Sequence, residues 1–131
     1  GVETGISAFL PSNIQVRGSA TFQESYDANY HNVTDAPRTL LKLNASAPVY
    51  DKWLRASLEV QYVGNRIDNL GASMGDYLTG NFTLRAIHVW RRWNLSFSVY
   101  NLAGAHWADS TNTGQIQSVP RSFLARATFE F

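Results

Sequence analysis

A serine between two glycines is the first feature of this chain whose spacing suggests chemistry. The pentapeptide GASMG at positions 71–75 fits the G-x-S-x-G pattern of a serine-hydrolase nucleophile. That chemistry requires a strained strand-to-helix turn, an oxyanion hole and a histidine placed beside the serine. The pentapeptide lies in a long polar stretch with no predicted helix after it. We therefore interpret its glycines as loop residues and predict that the chain is not an enzyme.

Metal and cofactor chemistry also lacks its usual residues. His31, His88 and His106 are scattered along the chain, with no metal-ligand spacing around them. The chain has no cysteine, which excludes a thiolate zinc site and a disulfide scaffold. No glycine-rich phosphate loop and no closely spaced carboxylate pair is present. We predict no cofactor and no metal.

Charge and hydropathy exclude two further classes of protein. The 131 residues include 11 basic and 10 acidic side chains, a net charge of +1, without the dense basic patch of a nucleic-acid-binding protein. No apolar run approaches the roughly 18 residues of a membrane-spanning helix. The chain starts at Gly1 without a leader segment, so we expect either a processed protein or a piece of a longer one.

Alternation of apolar and polar residues dominates the pattern and predicts β-strands, because successive strand side chains point to opposite faces. In the clearest run, Ile14, Val16 and Phe22 lie on one face, while Gln15 and Arg17 lie on the other. No segment has a convincing helical period. The predicted strands number about seven and span residues 2–9, 14–22, 41–47, 54–62, 82–86, 95–99 and 123–131.

The connections alternate in length. Short ones lie at 10–13, 48–52 and 90–92, and long polar ones at 26–37, 65–77 and 104–120. Trp53, Trp90 and Trp93 cluster near the short connections, as aromatic residues do at a membrane interface. Short turns at one rim and long loops at the other are typical of an outer-membrane barrel. The alternative is a soluble two-sheet sandwich, whose inner faces also alternate.

In a barrel, the polar strand face lines the lumen, and its side chains influence what passes. Arginines there can guide an anionic solute by their field and hydrogen bonds, or simply hold water. In the last long loop, His106 and Trp107 are candidates for contact with a ligand. The candidate lumen residues are Arg17, Lys42, Arg55, Glu59, Gln61, Arg85 and Arg126.

Several segments resemble TonB-dependent outer-membrane receptors, in the order expected along the chain. The segment NLSFSVYNL at 94–102 is similar to a segment near the end of these receptors, and PRSF at 120–123 leads into a similar final strand. Residues 36–43 look like one of the family's strand starts, and QYVGNR at 61–66 like a strand end. The pair Asp76-Tyr77, followed by Leu84-Arg85, is also similar. Residues 103–104 depart from the family, which usually has an aromatic residue and an acid there.

The resemblance implies that residues 1–131 are the C-terminal part of a 22-stranded transmembrane barrel, all-β and antiparallel, without the plug domain. It implies active uptake across the bacterial outer membrane, usually of a ferric siderophore, powered by the TonB complex through the missing plug region. Phe129 and Phe131 resemble the signal read by the barrel assembly machinery, and outer-membrane lipid would cover the apolar face. Two alternatives stay open: a small self-contained outer-membrane barrel with a structural or adhesion role, and a soluble sandwich or lipocalin-like binding protein.

Overall fold

A computed structural model describes residues 1–26, 33–111 and 114–130 of the chain. Seven long antiparallel strands form one sheet, and two short strands form a separate hairpin. A single 3-10 turn, Pro11–Asn13, joins the first two strands. The strands are β1 Val2–Leu10, β2 Ile14–Phe22, β3 Thr39–Tyr50, β4 Leu54–Val63, β5 Tyr77–Val89, β6 Trp93–Tyr100, β7 Ala108–Thr111, β8 Gly114–Gln117 and β9 Ser122–Phe129.

The seven predicted strands are confirmed, and several are longer than the alternation indicated. β3 continues through Pro48 to Tyr50 with a register shift between those two residues. β5 begins at Tyr77 and runs to Val89, although the pattern predicted only residues 82–86. The predicted loop at 104–120 was wrong in part, because it contains the β7–β8 hairpin. Both hairpin strands are four residues long, too short to show an alternating pattern.

The sheet order follows the chain, β1-β2-β3-β4-β5-β6-β9, so each strand pairs with its neighbours in sequence apart from the β7–β8 excursion. This register aligns residues of like polarity. Ala45, Leu58 and Phe82 are direct partners on one face. One residue along, Asn44 pairs with Glu59 on the other face. The sheet therefore has one apolar and one polar face along its whole width.

The apolar face has no second layer of the described chain packed on it. Val63 and Val99 are the buried hydrophobic residues of the part that the structure describes. By contrast, the side chains of Ile6 and Phe123 are 71% and 65% exposed. A sandwich would bury such residues between two sheets. The seven long strands that the structure describes therefore form one sheet, not the two packed sheets of a sandwich.

The described residues contain no helix long and apolar enough to cross a membrane.

Candidate functional site

The predicted lumen residues all come to the polar face of the sheet. Arg17 pairs with Asn44, which pairs in turn with Glu59. Lys42 pairs with Gln61 on the same face. Cavities of about 580 and 440 Å³ open over this part of the face. The placement agrees with the sequence prediction, while the role of each side chain in binding stays a prediction.

Several hydrogen bonds join side chains of neighbouring strands across the middle of the polar face. The Asn81 amide donates to Glu59 Oε1 at 2.9 Å, and Asn81 Oδ1 accepts the backbone N–H of Asn101 at 3.0 Å. The hydroxyls of Thr83 and Ser98 are 2.9 Å apart. Each of these groups therefore has a hydrogen-bond partner, which restricts the side-chain rotamers on this face.

Arginines gather toward the short-turn end of the polar face. Arg55 and Arg85 are direct partners across β4 and β5, and Ser96 separates Arg85 from Arg126 across β6. Arg55 donates to the Asn13 carbonyl at 3.0 Å and to Ser46 Oγ at 3.3 Å. Arg85 and Arg126 line a cavity of about 510 Å³. Like charges in adjacent cross-strand positions repel, so this row favours an anionic neighbour.

A buried arginine that the sequence pattern did not predict joins the long loops at the other rim. Arg66 is only 6% exposed and donates to Asp35 Oδ1 at 2.7 Å and Asp109 Oδ1 at 2.8 Å. Its second terminal nitrogen donates to the Ala108 carbonyl at 2.7 Å. These partners lie in the β2–β3 connection and in β7, so Arg66 ties three loops together.

The electrostatics of Arg66 follow from this geometry. Burial lowers the pKa of Arg66, but the hydrogen bond to Asp109 and the attraction of Tyr77 and Asp35 outweigh it and hold the pKa above its usual value. The guanidinium carbon also lies 5.1 Å from the centroid of the Tyr77 ring, a cation–π contact. Arg66 is thus a permanently charged tie between loops.

Gly64 explains how the chain reaches Arg66. Its N–H donates to the Thr39 carbonyl at 2.8 Å, where β4 ends beside the start of β3. A Cβ at position 64 would lie 3.1 Å from that carbonyl oxygen and 3.2 Å from Thr39 Cβ. A side chain would push the strands apart at this point. The glycine therefore permits the close approach that sets the direction of the following loop.

The two outer-loop candidates differ in their surroundings. Trp107 stacks on Tyr77 with ring centroids 4.6 Å apart, and its indole N–H donates to Asp109 Oδ2 at 3.3 Å. His106 is exposed. Trp107 therefore packs the β7–β8 hairpin against β5 and extends the cluster around Arg66, whereas His106 is accessible to solvent.

Asn101 anchors the other end of the same connection. This buried residue has φ of 51°, in the left-handed region that asparagine tolerates. Its amide donates to the Ala105 carbonyl at 2.8 Å and to the Val119 carbonyl at 3.3 Å, and its Oδ1 accepts the Ala105 N–H at 2.8 Å. Asn101 belongs to the segment 94–102, which resembles a segment of TonB-dependent receptors.

The remaining motifs have structural surroundings. Gly71 and Gly75 have φ of 81° and 72°, and Ser73 Oγ donates to Asn65 Oδ1 at 2.7 Å, so the pentapeptide forms a loop turn. Phe129 packs on Trp93 with centroids 5.1 Å apart. Phe131 and His31 lie outside the described residues. Within those residues, no three His, Asp or Glu side chains gather as a metal site would require.

One broad sheet with a polar face and an exposed apolar face is the architecture of a membrane β-barrel wall. The comparisons with solved structures agree. The chain is similar to the ferric-catecholate import receptor Fiu of Escherichia coli K12, with a TM-score of 0.78 and 20% identity over 97% of this chain and 20% of the receptor. It is also similar to the ferripyoverdine receptor of the Pseudomonas aeruginosa outer membrane, with a TM-score of 0.81 and 20% identity over 98% of this chain and 19% of the receptor.

The chain therefore has the fold of a segment from the barrel of such receptors, as the resemblance to TonB-dependent receptors predicted, and it spans about a fifth of their length. A third similar structure is FpvA of Pseudomonas aeruginosa in complex with a heterologous pyoverdine, with the same TM-score of 0.81. No family model matches the sequence, and no curated protein matches it.

Proposed function

We propose that this chain forms part of the 22-stranded barrel of an outer-membrane receptor that takes up a ferric siderophore by energy coupling through TonB. One observation carries the proposal: a single seven-stranded sheet, polar on one face and exposed and apolar on the other, has the fold of two ferric-siderophore receptors over 97–98% of its length. The transport receptors in the comparison also favour a role without catalysis.

In this proposal, the two faces of the sheet have different roles. The apolar face contacts the acyl chains of the outer membrane, because lipid covers an apolar surface without a second layer of protein. The polar face lines the lumen, where the arginine row favours an anionic neighbour, either the chelate or the plug. The long loops, joined through Arg66, form part of the mouth that captures cargo. The rest of the barrel and the plug belong to the remainder of the receptor.

The first experiment measures the size and location of the native polypeptide. An antibody against residues 104–120 is used to probe cell-envelope fractions. A band several times larger than 14.6 kDa in the outer membrane supports the proposal. A band near 14.6 kDa would mean that the chain exists alone. The proposal of active uptake through it would then be wrong.

The second experiment tests the cargo. Cells that lack the gene are compared with wild type for accumulation of radioactive iron supplied as ferric catecholate, ferripyoverdine or ferric citrate under iron limitation. We expect loss of uptake for one chelate and normal uptake for the others, with restoration by the intact gene. Equal accumulation from every chelate in both strains would overturn the assignment to ferric-siderophore uptake.

A further inference from the structure

The turn between β5 and β6 has residues that its backbone does not favour. Trp90 and Arg91 have φ of 49° and 72°, two consecutive left-handed residues in the three-residue loop between the paired residues Val89 and Trp93. Asparagine and glycine are the usual residues there, because a bulky side chain in this conformation is strained. Most other left-handed non-glycine residues of the described chain are short and polar: Ser12, Asn13, Asp35, Asp51 and Asn101.

The exposure of Trp90 in this turn indicates a ligand outside the chain. Trp90 is 82% exposed and makes no ring contact with any residue that the structure describes. The neighbouring Trp53 and Trp93 each pack against a ring, Tyr50 and Phe129 respectively. A strained residue that also exposes a large ring indicates selection for contact with something else.

Basic side chains accompany the rings at this end of the sheet. The Trp53 carbonyl accepts the Ile87 N–H at 2.8 Å, so the β3–β4 turn, with Lys52, lies beside the β5–β6 connection, with Arg91 and Arg92. The nearby acids are Asp51 and Glu130, and Glu130 already accepts a hydrogen bond from the Asn94 amide. Lys52, Arg91 and Arg92 thus give the turns of this short-turn rim (residues 49–54, 87–93 and 128–130) an excess of positive charge.

We propose that the short-turn rim binds the headgroup phosphates of anionic phospholipids in the inner leaflet of the outer membrane. The proposal rests on the membrane-spanning part of the proposed function and is independent of the cargo. Short turns of such barrels face the periplasm, which places this rim at the phospholipid leaflet. The exposed Trp90 ring lies at headgroup level, where one edge is apolar and the other wet. The forked guanidinium groups of Arg91 and Arg92 match phosphate oxygens in pairs.

The test uses the full-length protein that carries this segment, in nanodiscs of mixed phosphatidylethanolamine and phosphatidylglycerol. Native mass spectrometry counts the lipids that stay bound. We expect phosphatidylglycerol to be enriched several-fold over its bulk fraction, and the double variant Arg91→Gln with Arg92→Gln to return the ratio to the bulk value. Arg121→Gln removes one exposed cation at the opposite rim and should leave the enrichment unchanged.

A turn-optimised variant separates lipid binding from folding. Trp90→Asn with Arg91→Gly places residues that tolerate the left-handed region at the two left-handed positions, so the hairpin should form at least as well as in the wild type. We expect this variant to assemble normally and to lose most of the enrichment. Full enrichment in it, or none in an assembled wild type, would overturn the inference. Failure of the wild type to enter nanodiscs would instead overturn the membrane assignment.

Discussion

Arg66 shows how a single buried charge can organise loops that have no hydrophobic core. Removing a guanidinium from water is costly, and the cost is offset only by close, well-oriented partners. Asp35, Asp109 and the Ala108 carbonyl supply them, although the Arg66 Nε–H has no hydrogen-bond partner among the described residues. The two carboxylates stay partly exposed, which limits both the cost of removing charge from water and the electrostatic stabilisation. The interaction of Arg66 with the loops therefore has a specific geometry and a moderate free energy.

Replacing Arg66 by methionine should release the loops. Two carboxylates would then face each other without a cation. Removing one partner of a fully buried ion pair costs about 3–5 kcal/mol, and we expect a smaller loss here because both carboxylates are partly exposed. Amide hydrogen exchange in the full-length protein that carries this segment should increase at residues 33–38 and 107–111. Arg121→Met, at an exposed arginine of the same rim, is the control, and unchanged exchange in Arg66→Met would contradict the tie.

Asn101 offers a second prediction, in which backbone strain and hydrogen bonding are measured separately. Asn101→Gly keeps the left-handed conformation free of strain but removes the contacts to Ala105 and Val119, a loss of about 1–3 kcal/mol. Asn101→Ala should cost about 1 kcal/mol more, because alanine is strained at this φ. The difference in unfolding free energy between the two variants measures the strain. Equal unfolding free energies for the two variants would show that the backbone at position 101 relaxes out of the left-handed region.

At the scale of the strand, the sequence predicted most of what the structure contains. Each strand face repeats every two residues, so the alternation alone assigned Arg17, Lys42 and Glu59 to one face, and the register confirms it. The Arg66 cluster was missed because its partners are 31 and 43 residues away, in loops without periodicity. The segment QYVGNR at 61–66, which contains Arg66, indicated only a resemblance to a strand end of TonB-dependent receptors. Strand pairing is a repeating property, whereas a loop contact depends on individual side chains.

The two faces of β4 predict opposite responses to the same substitution. Leu58 lies mid-strand on the apolar face between Ala45 and Phe82, and it is 42% exposed. Leu58→Arg should cost about 2–4 kcal/mol in the membrane and block outer-membrane assembly. Ser57→Arg, one residue away on the polar face, should assemble. Heat-modifiable migration of the full-length protein on gels measures assembly, and normal assembly of Leu58→Arg would exclude the lipid-facing assignment.

At the scale of the whole molecule, the described sheet has two edges, β1 and β9, which do not pair with each other. An unpaired edge exposes a row of backbone N–H and C=O groups, and in hydrocarbon each unsatisfied group costs several kcal/mol. The fold therefore needs further strands before it is stable in a membrane. This requirement follows from hydrogen bonding alone, and it agrees with a chain that covers about a fifth of similar receptors.

The 131-residue chain refolded alone in detergent should therefore associate through its edges. Light scattering coupled to size exclusion should report oligomers or aggregates, because edge-to-edge pairing is the available way to satisfy β1 and β9. The full-length protein that carries this segment, refolded in the same detergent, is the control and should be monomeric. A stable monomer of 14.6 kDa with strand-rich circular dichroism would mean that β1 and β9 close on each other. That outcome would favour a small self-contained barrel over a segment of a larger one, and the search for cargo would give way to a search for a structural or adhesive role.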